Sequence, residues 1–336
     1  MIYDIHRCSA QEKPLLQKFI QEHWKAGHAL AVSDVLLDYQ HRAGDGAYNF
    51  LIAKNTASGE IDGIFGYIPY ESSPGVYYGA LWKVRDDVQN DEIRLLGVSL
   101  WRKILHLPHF QHYGVSGISG IARQFYTMAR LTVGNMHQYY IPNEQLTEFR
   151  IARFKEKPAR LAPPRPTADD IAIKKLSFND IQGISYPYYP QKDLTFLQTR
   201  YATHPFYKYD FLGILVNGKL QSVLVVRKID TQEARCIRIV DIYGSVEQMP
   251  FIYPAIQELL QAENAEYIDC LNYGIAPQAF RESGFCELDA DSEEIIIPNY
   301  FEPFVRENIT VGCAHSPAQH FVIFKGDGDQ DRPNIL

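Results

Sequence analysis

Three residues that could bind a phosphate group stand at the start of an apolar helical pattern. In EIRLLGVSLWRKIL (92–105), Arg94, Gly97 and Ser99 have the spacing R-x-x-G-x-S, and the strand pattern GALWKVR (79–85) precedes them. Free amides in the first turn of a helix bind anions, glycine lets the backbone approach closely, and a guanidinium adds a charged donor. The spacing indicates a diphosphate site where a helix starts near residue 96; an ordinary helix start is the alternative.

The helices and strands that must position this site are predicted from hydrophobic patterns in the sequence. Their order is typical of an α+β fold, with a mostly antiparallel sheet covered by helices. Residues 1–149 are expected to contain three groups of elements: an entry strand (2–7), helices (11–23 and 33–42) and a hairpin (48–68); then a strand (79–85) and the helix from residue 96; and last a strand (115–118), a helix containing Tyr126 and a strand (133–140).

The second half of the chain repeats these signals in the same order. YNFLIAKNTASGEIDGIFGYI (48–68) and YDFLGILVNGKLQSVLVVRKI (209–229) both indicate a hairpin, with turns at Ser58-Gly59 and Asn217-Gly218. Two shorter motifs also recur: Gly120-Ile-Ala as Gly274-Ile-Ala, and Ile141-Pro-Asn as Ile297-Pro-Asn. We therefore expect duplicated domains, 1–149 and 171–336, joined by a proline-rich linker (150–170).

Composition limits the class of protein. The 336 residues are 46% hydrophobic and carry a net charge of -7, with 19 Lys+Arg against 16 Asp+Glu in residues 1–166 and 14 against 24 in 167–336. So weakly basic a first half argues against DNA or RNA as the main partner. The N-terminus has no apolar leader, and no long apolar run suggests a membrane span. The five scattered cysteines are typical of buried reduced thiols, so we expect a soluble, cytoplasmic protein, either monomer or homo-oligomer.

In this layout the sequence resembles the GNAT acyltransferase superfamily, whose acyl-CoA diphosphate loop has the pattern Q/R-x-x-G-x-G/A. Ser99 replaces the last small residue of that pattern. The resemblance implies acyl-CoA as cosubstrate. Its expected binding residues are Trp82, Lys83 and Val84 on the preceding strand, with Arg94, Leu96, Gly97, Val98 and Ser99.

The resemblance also implies the residues that move protons. Tyr126 in GIARQFY (120–126) would protonate the departing CoA thiolate, with core packing as the alternative. Asp38, His28 and His41 are candidate bases on the stretch that meets the acceptor, and a solvated helix face is the alternative for them. Where the attacking amine is less basic than a lysine amine, positioning alone can suffice.

The second copy lacks these features of the first. Phe280 stands where the first copy has Tyr126, and VDIYGSVEQMPFIYP (240–254) has Pro250 and Pro254 but no Arg-x-x-Gly pattern. We therefore expect a degenerate GNAT-like domain that binds no CoA and contributes to the acceptor site or to an interface.

A closer resemblance is to two-domain GNAT sugar N-acyltransferases of bacterial surface-polysaccharide biosynthesis, the O-antigen, lipopolysaccharide and capsule pathways. It is carried by Trp24, Gly27-His28, LLDYQH (36–41), HPFYK (204–208) and KGDGDQDRPN (325–334). It implies transfer of acetyl or a short hydroxyacyl group, such as 3-hydroxybutanoyl, to a nucleotide-linked amino sugar of the dTDP-3-amino-3,6-dideoxyhexose class.

The candidate residues for binding this acceptor are Tyr189, Arg200, His204, Asp241, Asn299 and Arg332. Asp241 lies in an apolar strand, where a carboxylate needs a partner; Arg238 or Arg227 is the alternative to a sugar amine. We expect the hydrophilic tail of the chain, 325–334, to dock near the acceptor.

Other chemistries are less well matched. The calcium-loop start at Asp327 has Arg332 where glycine is needed, and Pro108 interrupts the histidines of HLPHFQH (106–112), so we expect no metal site. Two other functions stay open: a non-catalytic GNAT-derived binding or scaffold protein, and an aminoacyl-tRNA-dependent transferase, against which the acidic second half argues.

Overall fold

The protein is described by a computed structural model that covers residues 2–156, 170–247, 249–328 and 333–334. Two compact units form: unit 1 contains the described residues of Met1–Val115 and Arg332–Leu336, and unit 2 those of Ser116–Asp331. Residues 116–149, which the sequence assigned to the first domain, thus group with the second half. Most of the predicted linker, residues 157–169, lies outside the described residues, so the domain boundaries stay a prediction.

Unit 1 has one sheet, in the order β1-β2-β3-β4-β5, that is antiparallel except for the last pair. Its strands are β1 (Tyr3–Arg7), β2 (Phe50–Asn55), β3 (Ile61–Pro69), β4 (Val76–Val84) and β5 (His112–Ser116). Its helices are α1 (Lys13–Phe19), α2 (Ala29–Val32), α3 (Asp34–His41) and α4 (Ile93–Ile104).

The core of unit 1 forms where its helices pack on β2 and β3, whose residues are buried almost continuously. Leu16, Phe19, Leu36 and Leu37 on the helices bury against Phe50 and other apolar strand residues. The β2–β3 hairpin closes near Gly59, whose φ of +74° is the left-handed conformation that glycine adopts readily. The predicted hairpin is confirmed.

Unit 2 contains a larger sheet in the order β14-β7-β13-β12-β11-β10-β9; among its described strands, β12 and β13 pair in parallel and the other neighbours pair antiparallel. Its elements are α5 (Gly120–Met128), β6 (Thr132–Asn135), β7 (His137–Pro142), β8 (Arg153–Phe154), β9 (Ile171–Leu176), α6 (Leu194–Leu197), β10 (Tyr209–Val216), β11 (Lys219–Thr231), β12 (Ala234–Gly244), α7 (Tyr253–Ala262), β13 (Ala265–Tyr273), α8 (Pro277–Glu282), β14 (Cys286–Glu287), β15 (Ile295–Ile296), β16 (Tyr300–Phe301), β17 (Phe304–Val305), β18 (Gly312–His315) and β19 (Ile323–Phe324).

The strand predicted at 133–140 is in fact two strands. The backbone breaks at Met136, whose amide donates to the Val311 carbonyl. β6 then pairs with β18, whereas β7 joins the large sheet beside β13. Hydrophobic alternation in the segment could not show this change of partner.

The α+β prediction and the predicted duplication of element order are confirmed. From β9 to α8, the second half repeats the first half's sequence of strand, helices, three antiparallel strands, helix, parallel strand and helix. All five cysteines are buried free thiols, as expected. Among the described residues, no helix is long and apolar enough to cross a membrane.

Candidate functional site

A wedge opens in unit 1 between the parallel strands β4 and β5. They pair only from Val76 opposite His112 to Tyr78 opposite Gly114, although β4 continues to Val84. No other strand in the described part of the chain pairs with the remaining edge of β4. We call this wedge, from Gly79 to Val84, the first cleft.

An irregularity in β4 lies at the mouth of the first cleft. Three residue steps on β4, from Gly79 to Trp82, face two steps on β3, from Tyr67 to Phe65, so β4 bulges by one residue. The buried Tyr113 of β5 lies next to Gly79: a Cβ there would be 1.9 Å from the tyrosine hydroxyl oxygen. A side chain at position 79 would therefore collide with the other wall of the cleft.

The predicted strand residues lie along this cleft. Trp82, Lys83 and Val84 form the outer end of β4 and are half-buried. The Trp82 ring packs 4.8 Å from Phe65, and the Lys83 ammonium pairs with Asp86. The structure therefore places the three residues on the open edge, as the hypothesis requires.

The helix start in the diphosphate hypothesis needs correction. α4 begins at Ile93, three residues before the predicted position, and the Ile93 amide donates to Asn90 Oδ1 at 2.8 Å. The amides of Gly97, Val98 and Ser99 therefore lie inside the helix, where they donate to carbonyls four residues back and are not free for a ligand. In the first turn the Leu95 amide also donates, to the Glu92 carbonyl at 3.2 Å, so an anion would have to be received at the Arg94 amide.

The side chains of this stretch have different surroundings. Arg94 is exposed in the first turn, Leu96 is buried, and Gly97 lies against the Trp82 ring, to which an added Cβ would make an ordinary 3.6 Å contact. Gly97 is thus not needed for a close backbone approach. Arg94 remains the exposed charged donor beside the first cleft.

The candidate bases lie in polar and apolar surroundings that weaken them as bases. Asp38 accepts from Tyr48 (2.6 Å), Lys13 (3.0 Å) and Arg42 (3.2 Å). Although partial burial raises the pKa of Asp38, the Tyr48 and Lys13 hydrogen bonds lower it below its ordinary value overall. Two neighbouring cations favour the ionised form of a carboxylate, so Asp38 is a weak proton acceptor.

The two histidines are buried. His28 caps α2, its Nδ1 accepts from the Leu30 amide at 3.2 Å, and burial lowers its pKa to about 4. The Asn334 carbonyl accepts from the neighbouring Ala29 amide at 2.9 Å, so the end of the described chain docks here. His41 is fully buried, with its ring 4.5 Å from that of Phe50.

The aromatic residues compared between the copies occupy equivalent helices. Tyr126 lies in α5 and is 1% exposed, and Phe280 lies in α8 and is fully buried, stacked at 4.3 Å on Tyr139. The role of Tyr126 as a proton donor stays a prediction.

Unit 2 contains a second wedge with the same origin. The parallel pairing of β12 and β13 ends at Ile239 opposite Cys270, although β12 continues to Gly244 and β13 to Tyr273. We call this wedge the second cleft. It is filled by residues 321–328 of the chain, which we call the C-terminal segment.

Backbone hydrogen bonds attach the C-terminal segment to both walls. Asn272 and Tyr273 of β13 pair with Phe324 and Ile323, and the Gly326 amide donates to the Val240 carbonyl of β12 at 2.9 Å. The segment thus lies in the wedge like an extra strand.

A buried group of charges fixes the segment from one side. The Lys192 ammonium is 2.7 Å from an oxygen of Asp241 and 2.7 Å from an oxygen of Asp327 in the segment, and all three side chains are fully buried. Tyr201 also donates to Asp241 at 2.8 Å. Burial, partly opposed by Lys192, raises the pKa of Asp241 to about 6.

Most of the candidate acceptor residues of unit 2 lie around the C-terminal segment. Arg200 is buried and donates to the carbonyls of Gly326, Asp327 and Gly328 at 2.7–2.8 Å. Asn299 accepts from Lys325 at 2.7 Å, and the Tyr189 backbone pairs with residues 320 and 322. Along with Asp241, these residues hold the chain's own C-terminal segment, which satisfies the polar groups that we assigned to a sugar nucleotide.

Three further residues from the sequence analysis remain: His204, Arg332 and Arg238. His204 is buried, and its Nδ1 accepts from the amides of Phe206 and Tyr207, which fixes a turn. Arg332 lies outside the described residues. Arg238 pairs with Asp269 and not with Asp241, so that suggested partner was wrong.

Sequence reasoning missed Lys192, Tyr201 and Asp327. The available signal was Asp241 itself, because a carboxylate in an apolar strand requires a partner. Lys192 is 49 positions away in a loop, so no local spacing identifies it. In the described part of the chain, no group of three or more His, Cys, Asp or Glu side chains is arranged to hold a metal ion.

With both clefts described, the class of fold can be compared with known proteins. No family model matches the chain, and no curated protein does. Solved structures do match. A protein from Enterococcus faecalis described as a probable N-acyltransferase has a TM-score of 0.54 at 8% identity, over 93% of this chain and 72% of that one.

Two GCN5-related N-acetyltransferases give similar results. The protein from Anabaena variabilis has a TM-score of 0.52 at 10% identity, over 85% of this chain and 70% of that one. The protein from Kribbella flavida has a TM-score of 0.51 at 10% identity, over 94% and 71%. The chain therefore has the fold of GCN5-related N-acetyltransferases, present as two GNAT-like halves, as the sequence predicted.

Proposed function

We propose that the protein is an acyl-CoA-dependent N-acyltransferase whose donor site is the first cleft. The observation that carries the proposal is the parting of β4 from β5 after Tyr78: in the part of the chain that the structure describes, β5 does not pair with β4 from Gly79 to Val84. A strand edge from which the neighbouring strand has separated can offer N–H and C=O groups to an extended ligand, and the amides of pantetheine suit such an edge.

The first turn of α4 supplies the place for the diphosphate. α4 has 12 residues, so its N-terminal dipole favours an anion. Arg94 is exposed there and adds a charged donor, while Asn90 already caps the Ile93 amide. The diphosphate is thus proposed to contact the Arg94 guanidinium and the Arg94 amide, and not the amides of Leu95 or of Gly97–Ser99, which donate to carbonyls of the chain.

The reaction follows from this placement. A neutral amine attacks the thioester carbonyl, the C–N bond forms, the C–S bond breaks, and the departing CoA thiolate takes up the proton that the amine nitrogen loses. Amides on the open edge of β4 stabilise the oxyanion. Because Asp38 is ion-paired and the pKa of His28 is lowered, we propose that positioning of an already neutral amine contributes more than a base.

The proposed acceptor is a nucleotide-linked amino sugar, on the resemblance carried by Trp24, Gly27-His28 and residues 36–41. Unit 2 supports this less than expected, because Tyr189, Arg200, Asp241 and Asn299 hold the C-terminal segment. We therefore propose that the acceptor is recognised mainly by residues of unit 1.

The test is a screen of thiol release followed by product masses. Acetyl-CoA and 3-hydroxybutanoyl-CoA are offered with dTDP-linked amino sugars, with the same sugars lacking the nucleotide, and with simple polyamines. Turnover that requires the nucleotide supports the full proposal, and equal turnover of the free sugars removes the nucleotide from it. Absence of acceptor-dependent thiol release with every amine would contradict the enzymatic proposal.

A further inference from the structure

We infer that the second cleft is a peptide-binding cleft whose ligand is the chain's own C-terminal segment, residues 321–328, and that this segment closes the cleft to acyl-CoA. The exclusion of acyl-CoA rests on the proposed function of the first cleft. The occupation of the second cleft rests only on contacts within unit 2.

The first argument is that both walls of the second cleft, β12 and β13, already form backbone hydrogen bonds with the C-terminal segment. Asn272 and Tyr273 pair with the segment, and the Val240 carbonyl accepts from Gly326. On the outer side of the segment, the Val322 amide donates to the Tyr189 carbonyl at 2.8 Å. The edges on which a pantetheine chain would lie are thus paired with peptide.

The second argument is that the backbone fits closely. A Cβ at Gly274 would lie 2.2 Å from the Phe321 carbonyl oxygen, and a Cβ at Gly326 would lie 2.3 Å from the Tyr201 hydroxyl oxygen. Gly274 directly follows β13 and has a φ of +93°, a conformation that favours glycine. The absence of a side chain at Gly274 therefore allows the segment to pass.

The third argument is that buried charged side chains of the cleft bind the segment. Lys192 binds Asp327 of the segment and Asp241 of the cleft, and Arg200 binds three consecutive segment carbonyls. The two cations and two carboxylates together balance in charge. Without the Asp327 carboxylate, two cations would face only one, so the cleft recognises an extended peptide that carries an acidic side chain at this position.

Aromatic side chains also stabilise the segment in the cleft. Lys192 lies 5.0 Å from the ring centre of Phe324 in the segment and 5.1 Å from that of Phe196 in the cleft, within range of cation–π attraction. Phe321 and Phe324 are buried. The peptide thus supplies both an acidic group and aromatic anchors.

Hydrogen exchange of the full-length protein tests the inference. We expect the amides of Val322, Phe324 and Gly326 to exchange as slowly as those of β13, and to stay slow when acetyl-CoA is saturating. Exchange as fast as that of exposed loops, or loss of protection in 321–327 when acetyl-CoA is added, would overturn the inference.

The Asp327→Asn variant tests the charge recognition, with Asp291→Asn on the surface of unit 2 as the matched control. We expect exchange in 321–326 to become at least about tenfold faster in Asp327→Asn, because a buried charge pair is broken, and to be unchanged in Asp291→Asn. Equal exchange in both variants would remove Asp327 from the recognition.

The same hydrogen-exchange measurements show whether this inference or the proposed function is at fault when one of them fails. New protection in Gly79–Val84 with acetyl-CoA supports the donor site. If acetyl-CoA changes no amide while 321–327 stays slow, the proposed function fails and the peptide-filled cleft stands.

Discussion

The two clefts differ in what lies between their parted strands. In the first cleft, β4 separates from β5 after Tyr78, and its edge has no further strand partner among the described residues. In the second cleft, β12 separates from β13 after Ile239, and the C-terminal segment pairs with both walls. The two halves thus share a backbone geometry, and in the second half a segment of the chain itself lies between the parted strands.

This comparison explains why polar residues in unit 2 resembled an acceptor site. Arg200, Asp241 and Asn299 converge on the second cleft, as residues that bind an anionic ligand would. The groups that they bind are backbone carbonyls and two lysine ammonium groups of the same chain. A convergence of buried polar residues therefore identifies a binding cleft, but not whether its ligand is external.

The largest expected effect comes from Lys192→Met, which leaves Asp241 and Asp327 buried without their shared cation. We expect the free energy of unfolding to fall by about 3–5 kcal/mol, as for other broken buried pairs. Urea denaturation measures this. Lys18→Met is the control, because the Lys18–Glu60 pair is exposed and should contribute less than about 1 kcal/mol.

Equal stabilities of the Lys192→Met and Lys18→Met variants would show that the second cleft does not depend on its buried charges. The same variants should differ little in acetyl-CoA affinity under conditions where both are folded, because neither lysine lies in the first cleft.

The second effect concerns pH. The pKa of Asp241 is raised from 3.8 to about 6, so the folded chain binds this proton more tightly than the unfolded chain does. The contribution of Asp241 to stability is therefore greatest below pH 4 and falls as the pH rises through 6, by up to roughly 3 kcal/mol.

Asp241→Asn cannot ionise and should lack this dependence. Unfolding of both proteins is measured from pH 4 to 7, where subtraction cancels other groups such as His28. A difference between wild type and Asp241→Asn that stays constant with pH would contradict the assigned direction.

The third effect tests the first cleft. Arg94→Ala should raise the Kd for acetyl-CoA roughly tenfold, because a charge-assisted hydrogen bond to the diphosphate is lost. Arg102→Ala, at an exposed position near the other end of α4, is the matched control and should bind as wild type does. Calorimetry measures both; a normal Kd for Arg94→Ala would remove Arg94 from the site.

The smallest effect distinguishes two versions of the diphosphate site. Gly97 is inside α4, and an added Cβ has room beside Trp82, so Gly97→Ala should stabilise the protein by about 0.5–1 kcal/mol. Acetyl-CoA binding should be unchanged. A large loss of affinity in Gly97→Ala would favour the original hypothesis, in which the backbone at Gly97 touches the diphosphate.

Local patterns predicted much of the fold. Alternation and turn residues identified both hairpins, and the repeated motifs identified the duplication, because these signals lie within a few residues of one another. Helix starts were less accurate: Ile93 begins α4 because Asn90, three residues earlier, caps its amide. That cap was visible in the sequence but competed with the more familiar spacing from Arg94 to Ser99.

Long-range partners could not be predicted in the same way. The pairing of β7 with β13, and of Lys192 with Asp327, joins residues more than 100 positions apart. Nothing in the local sequence of Asp327 distinguishes a solvated tail from a buried strand partner. For this reason the sequence did not reveal that the candidate acceptor residues of unit 2 hold a segment of the chain itself.

The most direct test of the central claim is a crystal structure of the protein with acetyl-CoA. We predict one molecule per chain, with its thioester against Gly79–Val84, its diphosphate at Arg94, and residues 321–327 still paired with β13. Acetyl-CoA between β12 and β13, with those residues displaced, would contradict the account.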